Sequence, residues 1–226
     1  FKPFVGRTVR AIKVHAEMSK GFHEKLLKFA TDMGMGGLGY LEVAEDMTYK
    51  GPIDKFIPDE LKGQLARIAS LAAGDTIFFI ADKEERANYY AGQLRNELGD
   101  KLDLCEKNAY RFCYVNDFPM YEIDPGTKQL GFTHNPFSMP QGGLEALETK
   151  NPLDVLAYQY DIVCNGVELS SGAVRNHDMQ IMEKAFEIVG YDKEVLKNKF
   201  GALYTAFQYG APPHAGIAPG VDRMIM

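Results

Sequence analysis

Apolar side chains in the first part of the chain recur at two different spacings. Val9 to Val14 alternates between apolar and polar, as a half-buried strand does. Gly21 to Met33 instead places Phe22, Leu26, Phe29 and Met33 at helical intervals, with Ser19 available as a cap. Gly34 to Gly39 is a glycine-rich turn leading into a strand at Tyr40–Val43. A second helix reads from Asp59 through Leu61, Leu65, Ile68 and Ala72. A β-prone run follows at 75–80, then a third helix from Glu84 to Leu98 that Gly99 is expected to stop. The order β-α-β-α-β-α describes an α+β or α/β module over residues 1–110.

From about residue 111 the texture changes to longer strand-like stretches. Arg111–Val115, Asp117–Glu122, Gln129–Ser138 and Tyr158–Val174 are rich in aromatic and β-branched residues. Two helices follow, Asp178–Val189 with a stripe of Met182, Phe186 and Val189, and Asp192–Tyr209 with Leu196, Phe200, Leu203 and Phe207. Such stripes are core positions. Residues 141–152 read as a surface loop. The second domain is therefore expected over 111–226, and the fold class is α+β.

A hydrophobic content of 46% against 25% charged residues is that of an ordinary globular chain. The net charge of −6 argues against a chain dominated by nucleic-acid binding, while leaving room for a local basic patch. Cys105, Cys113 and Cys164 are odd in number and lack C-x-x-C spacing, which points away from disulfide or zinc frameworks and towards a reducing cytoplasm. No run is long and apolar enough for a membrane span, and no membrane partner is expected. Phe1 and Met226 give the chain the look of a segment of a longer protein. Gly34 to Gly39 lacks the G-x-x-x-x-G-K-[ST] spelling of a phosphate loop and follows a helix, so it reads as a connection.

Candidate chemistry begins at Asp161-Ile-Val-Cys-Asn-Gly-Val-Glu168, where Asn165-Gly166 between β-prone residues signals a two-residue hairpin. In that register Val163 faces Glu168 and Ser170 faces Asp161, which sets the two carboxylates as diagonal neighbours roughly 7–8 Å apart. They could hold a hard cation such as a nucleotide-bound Mg²⁺, or simply line a solvated polar face. Arg175 falls on the opposite face under simple alternation, unless a bulge at Ser171-Gly172 turns it round.

The last seventeen residues, Gly210 to Met226, combine glycines, prolines and a lone Asp222-Arg223 pair, a backbone suited to close approach with one arginine aimed at the object approached. This segment resembles the arginine-bearing nucleotide motif of class II aminoacyl-tRNA synthetases, and Ala211-Pro-Pro-His-Ala-Gly216 resembles its aspartyl group. Asp161, Asn165-Gly166, Glu168, Gly172 and Arg175 are similar to a motif of bacterial aspartyl-tRNA synthetases, with Ser170-Ser171 standing where better-known members have Gly-Gly. Thr133-His-Asn-Pro-Phe137 resembles that family's histidine segment, with Asn135 in place of a second histidine. Lys50–Phe56 and Gly92–Gly99 look like the inserted GAD-type module of the bacterial enzymes, a module that tRNA-dependent amidotransferases also carry.

The resemblance implies an inserted α/β GAD-like module followed by the C-terminal part of a class II antiparallel sheet with flanking helices. It implies aspartate activation by ATP and transfer to tRNA(Asp), with tRNA(Asn) a second candidate, in a cytoplasmic homodimer. His134 and Arg175 would bind L-aspartate; Glu168, Gly220, Asp222 and Arg223 would bind ATP; Asp161 and Glu168 would hold Mg²⁺. No protein nucleophile is implied. The two earlier class II motifs and the anticodon domain have no counterpart here, so the segment alone is expected to form no adenylate. A non-catalytic tRNA- or partner-binding role for the module, and an amide ligase making free asparagine, are the competing readings.

Overall fold

A computed structural model describes residues 2–226, which divide into two compact units at residues 107 and 108. The first unit runs β1 (Thr8–His15), α1 (Lys20–Asp32), β2 (Gly39–Val43), β3 (Tyr49–Lys50), α2 (Asp59–Ile68), β4 (Asp75–Asp82) and α3 (Glu84–Lys101). The sheet order is β1-β4-β2-β3, and β4 is antiparallel to both neighbours. β1 and β2 therefore run parallel with β4 inserted between them, a split crossover. Of the two descriptions left open for this module, the pairings choose α+β.

β4 is apolar on both faces because both faces are covered. Phe78 and Ile80 pack with Leu26, Ala30, Leu94 and Leu98 under α1 and α3. Ile77 and Phe79 pack with Leu41, Val43, Ile53 and Leu71 on the other side. Ser19 caps α1 as expected, its hydroxyl accepting from the Phe22 amide.

Two helix ends differ from the expected ones. α2 stops at Ile68, because Ser70 takes a left-handed conformation (φ 49°) and the Leu71 amide folds back onto the Ala66 carbonyl. Leu61 and Ile68 are exposed in consequence, and Leu65, Ala66 and Ala69 face the core. α3 passes through Gly99 to Lys101, and the left-handed residue that ends it is Asp103 (φ 52°).

His23 is buried against Tyr40 with ring centroids 4.1 Å apart, and its Nε2 lies 2.7 Å from the Glu42 carboxylate. Burial holds the imidazole below its ordinary pKa, against a weaker pull from Glu42. A depressed folded-state pKa on a base contributes stability that is present above about pH 6.5, the unfolded value, and is lost as pH falls through the folded one. Thermal melts at pH 5 and 7.5 should show acid destabilisation that His23→Phe reduces; equal slopes for both proteins would refute this.

The second unit contains β5 (Phe112–Pro119), β6 (Tyr121–Ile123), β7 (Leu130–Phe132), α4 (Gly143–Thr149), β8 (Leu156–Cys164), β9 (Val167–Val174), α5 (Met179–Ile188), α6 (Lys193–Gln208), β10 (Ala215–Pro219) and α7 (Val221–Ile225). Its main sheet is antiparallel throughout, in the order β10-β9-β8-β5. The loop expected over 141–152 holds α4, which buries Ala146 and Leu147. Gly142 and Gly143, both at positive φ, let the chain turn into that helix. The predicted stripes on α5 and α6 meet in one aromatic cluster, where Phe137 and Phe200 cross edge to face at 5.0 Å beside Phe186. Tyr121 is buried beneath α5 and donates to the Ala185 carbonyl at 3.1 Å.

Candidate active site

β8 and β9 join through Asn165-Gly166, whose φ values of 50° and 81° are those of a type I′ turn. The Asn165 side chain also grips the incoming strand: Oδ1 accepts from the Arg111 amide and Nδ2 donates to the Ala109 carbonyl, both at 2.9 Å. Cys164 faces Val167 and Val163 faces Glu168, as the turn dictates.

The register then shifts. Ile162 pairs with Ser170, so Leu169 is an extra residue, and Asp161 faces Ser171 rather than the expected Ser170. The bulge needed to turn Arg175 round thus lies at Leu169, earlier than Ser171-Gly172. Beyond it Ser171 pairs with Asp161 and Ala173 with Gln159, so Glu168, Ser171, Ala173 and Arg175 share one face with Gln159, Asp161 and Val163.

A bulge leaves backbone acceptors unclaimed, and the terminal segment claims them. Gly220 donates its amide to the Leu169 carbonyl at 2.8 Å, and Arg223 Nη1 donates to the Glu168 carbonyl at 2.7 Å. The same guanidinium reaches the Glu168 carboxylate at 3.2 Å. Gly220 therefore marks the change from β10 to α7. Arg223 pairs with Glu168 across 55 positions of sequence and not with its neighbour Asp222, which is exposed. Both partners of this ion pair are about half exposed. The ion pair itself therefore contributes little, and Arg223→Ala should cost about 0.5–1.5 kcal/mol, mostly through the lost bond to the Glu168 carbonyl, readable as a small fall in melting temperature.

Gly172 has a stricter reason to be glycine. A Cβ there would stand 2.4 Å from the Gly216 carbonyl oxygen and 2.5 Å from the Tyr160 ring. That ring lies over the glycine, and its hydroxyl donates to the same Gly216 carbonyl at 3.0 Å. β8, β9 and β10 are thereby pressed together at one point.

At the other end β8 and β9 separate, and residues 138–140 enter between them. Ser138 bridges Arg175 and Pro140 bridges Ala157; the Met139 amide donates to Val174 while its carbonyl accepts from Tyr158. His134 precedes this wedge, exposed, with its ring edge-on to Phe118 at 5.2 Å. Phe118 stands opposite Ala157, on the face that carries Asp161.

Among the described residues the Arg175 guanidinium and the Asp161 carboxylate form no hydrogen bond or ion pair. A forked cation and a carboxylate without protein partners, on one face, can take a carboxylate and a cation respectively. No group of three or more His, Cys, Asp or Glu side chains is placed to hold a metal among the described residues. Asp161 and Glu168 alone suit Mg²⁺ arriving on a nucleotide, since that ion commonly takes one or two carboxylates and completes its shell with phosphates and water. His15 and His23 pair with Asp75 and Glu42 in the first unit, His214 Nδ1 lies 2.8 Å from the Pro212 carbonyl, and His177 Nδ1 lies 3.4 Å from the Arg175 carbonyl. Gln159, Ser138 and Phe118 were not among the expected residues, although period two from Asp161 reaches Gln159 directly.

A family model described as tRNA synthetases class II (D, K and N) matches residues 6–226. The chain is 51% identical over 223 residues to the aspartate–tRNA(Asp/Asn) ligase of Ehrlichia chaffeensis, covering 98% of this chain and 38% of that protein. It is 50% identical over 227 residues to the protein of the same name from Rickettsia felis, with the same coverage. The chain thus spans well under half the length of the curated relatives it matches. Among solved structures, the aspartyl-tRNA synthetase of Entamoeba histolytica aligns over 96% of this chain and 39% of its own, at 20% identity and a TM-score of 0.37.

Proposed function

This chain belongs to the class II tRNA synthetases of the D, K and N group, and we propose that it is part of an aspartate–tRNA ligase. The observation that carries this reading is the single sheet face on which the Arg175 and Asp161 side chains stand without partners among the described residues while Arg223 closes onto Glu168. Residues 1–110 are assigned to the inserted GAD-like module and 111–226 to the C-terminal part of the catalytic domain. The protein is taken to be cytoplasmic and homodimeric, acting on tRNA(Asp) and, as the names of its relatives suggest, tRNA(Asn).

In this reading the Arg175 fork holds the side-chain carboxylate of L-aspartate and His134 closes over it from the wedge segment. Arg223 lies along the nucleotide, its guanidinium stacked on the base. An α-carboxylate oxygen of aspartate then attacks the α-phosphate of ATP, the bond to the β-phosphate breaks, and pyrophosphate leaves. The tRNA 3′-terminal hydroxyl next attacks the aspartyl carbonyl and AMP departs. Mg²⁺ held by Asp161 and Glu168 would supply charge neutralisation at the phosphates. Positioning and fixed charge do the rest.

The test is aspartate-dependent ATP–pyrophosphate exchange in the full-length ligase, with residues 1–226 assayed alongside. Exchange in the full-length protein and none in the segment is expected. A full-length protein that exchanges with another amino acid, or with none, overturns the assignment and favours a tRNA- or partner-binding role for the first unit.

A further inference from the structure

Gln159 is the last residue of β8 to pair with β9 before the two strands part, and it lies opposite Ala173 on the face that carries Asp161 and Arg175. A glutamine there is buried, with 7% of its surface exposed. Burying an amide is costly unless its donors find acceptors. Its Nε2 does: it donates to Ser138 Oγ at 2.9 Å and to the Asn135 carbonyl at 3.3 Å. Both acceptors belong to the wedge segment. Asn135 follows His134 directly, and Ser138 is fully buried and bridged to Arg175. One side chain on β8 thus ties down both ends of the stretch between His134 and the point where the chain meets Arg175.

Backbone bonds hold the two flanks of that stretch, the Thr133 amide on the Met120 carbonyl at 3.1 Å before it and the bonds to β9 after it, and leave its middle to side chains. The Asn176 amide donates to Phe137 and the Met139 amide to Val174, each at 2.8 Å, but among the described residues the backbone bond at Asn135 is local, from the Ser138 amide at 3.2 Å. The Asn135 side chain likewise turns inward, onto the Phe137 amide at 2.9 Å. Without Gln159 the His134 end would keep the Thr133 amide bond to the Met120 carbonyl at 3.1 Å and the edge-on contact with Phe118, but nothing that ties residues 134–136 to β8.

Resting on the reading proposed above, we infer that Gln159 is a positioning residue for the amino-acid half of the site: it sets the distance between His134 and Arg175 and touches neither substrate. Its loss acts on aspartate and leaves ATP untouched, because Glu168, Gly220 and Arg223 sit at the opposite end of β9.

The test uses Gln159→Met, which keeps bulk and removes the donor, and Gln159→Glu, which keeps shape but offers a carboxylate where the Asn135 carbonyl needs a donor. In the full-length ligase both should raise the KM for aspartate by about ten- to a hundredfold, the scale of a small misplacement. The KM for ATP should stay within about twofold, as for binding at an untouched site. Hydrogen exchange on residues 1–226 should show faster exchange of the Phe137 and Ser138 amides, a readout that holds whatever the substrate. An unchanged aspartate KM, a parallel rise for both substrates, or full function in Gln159→Glu overturns the inference. An unaltered ligase without aspartate-dependent exchange would instead sink the functional reading, and the hydrogen-exchange result would still decide whether Gln159 holds the wedge.

Discussion

Arg175→Lys in the full-length ligase is expected to lower kcat/KM for aspartate by between about ten- and a hundred-and-fiftyfold, the scale of one lost hydrogen bond to a charged group at about 1.5–3 kcal/mol. Lysine keeps the charge, so a large effect measures the fork. A planar guanidinium meets both carboxylate oxygens at once, and an ammonium offers one point charge on a flexible stem. The site favours such an effect because Arg175 has no carboxylate partner among the described residues, and its backbone is fixed by its amide donating to the His214 carbonyl at 2.9 Å and by the Ser138 bridge. Exchange measured against aspartate and ATP separately separates the outcomes. A KM for ATP that rises as far as that for aspartate would place Arg175 elsewhere in the reaction, and a Lys variant equal to the unaltered enzyme would remove the carboxylate role.

The second large effect is structural. Gly172→Ala should destabilise the second unit by about 1–3 kcal/mol, the usual cost of forcing a methyl into a filled space. The added carbon would meet a backbone oxygen at 2.4 Å, an aromatic ring at 2.5 Å and the Ile217 Cα at 3.1 Å. Only the ring can move, and moving it breaks the Tyr160 hydrogen bond to Gly216. Gly216→Ala is the control, since a Cβ there meets nothing within 4 Å and its φ is not positive. Urea or thermal unfolding of the two variants should separate them clearly. Equal midpoints would show that β10 lies less tightly on β9 than the structure has it.

Elements set by local pattern were the legible ones. The strands at 9–14 and 75–80, the Ser19 cap, the α5 and α6 stripes and the Asn165-Gly166 turn all follow from spacing within a few residues. The order of strands did not, because the insertion of β4 between β1 and β2 is decided by which apolar face finds cover. α4 was missed for the same reason: a seven-residue helix has too little pattern to announce itself before Ala146 and Leu147 meet the core. In the candidate site, the need for a bulge was readable from the parity of Glu168 and Arg175, but its place was not. Leu169 carries it because the partners that satisfy the opened carbonyls, Gly220 and Arg223, arrive from the far end of the sequence. Period two from Asp161 places Gln159 on the face of the site, but its task was not readable, as its acceptors lie more than twenty residues upstream in a segment with no regular structure.

The turn at Asn165-Gly166 bears on how the protein ages. An asparagine followed by glycine is the dipeptide whose side-chain amide is most readily lost, by attack of the glycine nitrogen on the amide carbon. In this turn both ends of the amide are engaged, with Oδ1 on the Arg111 N–H and Nδ2 on the Ala109 carbonyl. Cyclisation would have to break both bonds, since it rotates the amide out of the position that they fix. The arrangement that aims Glu168 thus also guards the chemical integrity of the turn. Loss of the amide would replace the donor to Ala109 with a carboxylate oxygen facing another oxygen. After long incubation, peptide mass analysis should find Asn165 intact in the folded protein and converted in the unfolded chain.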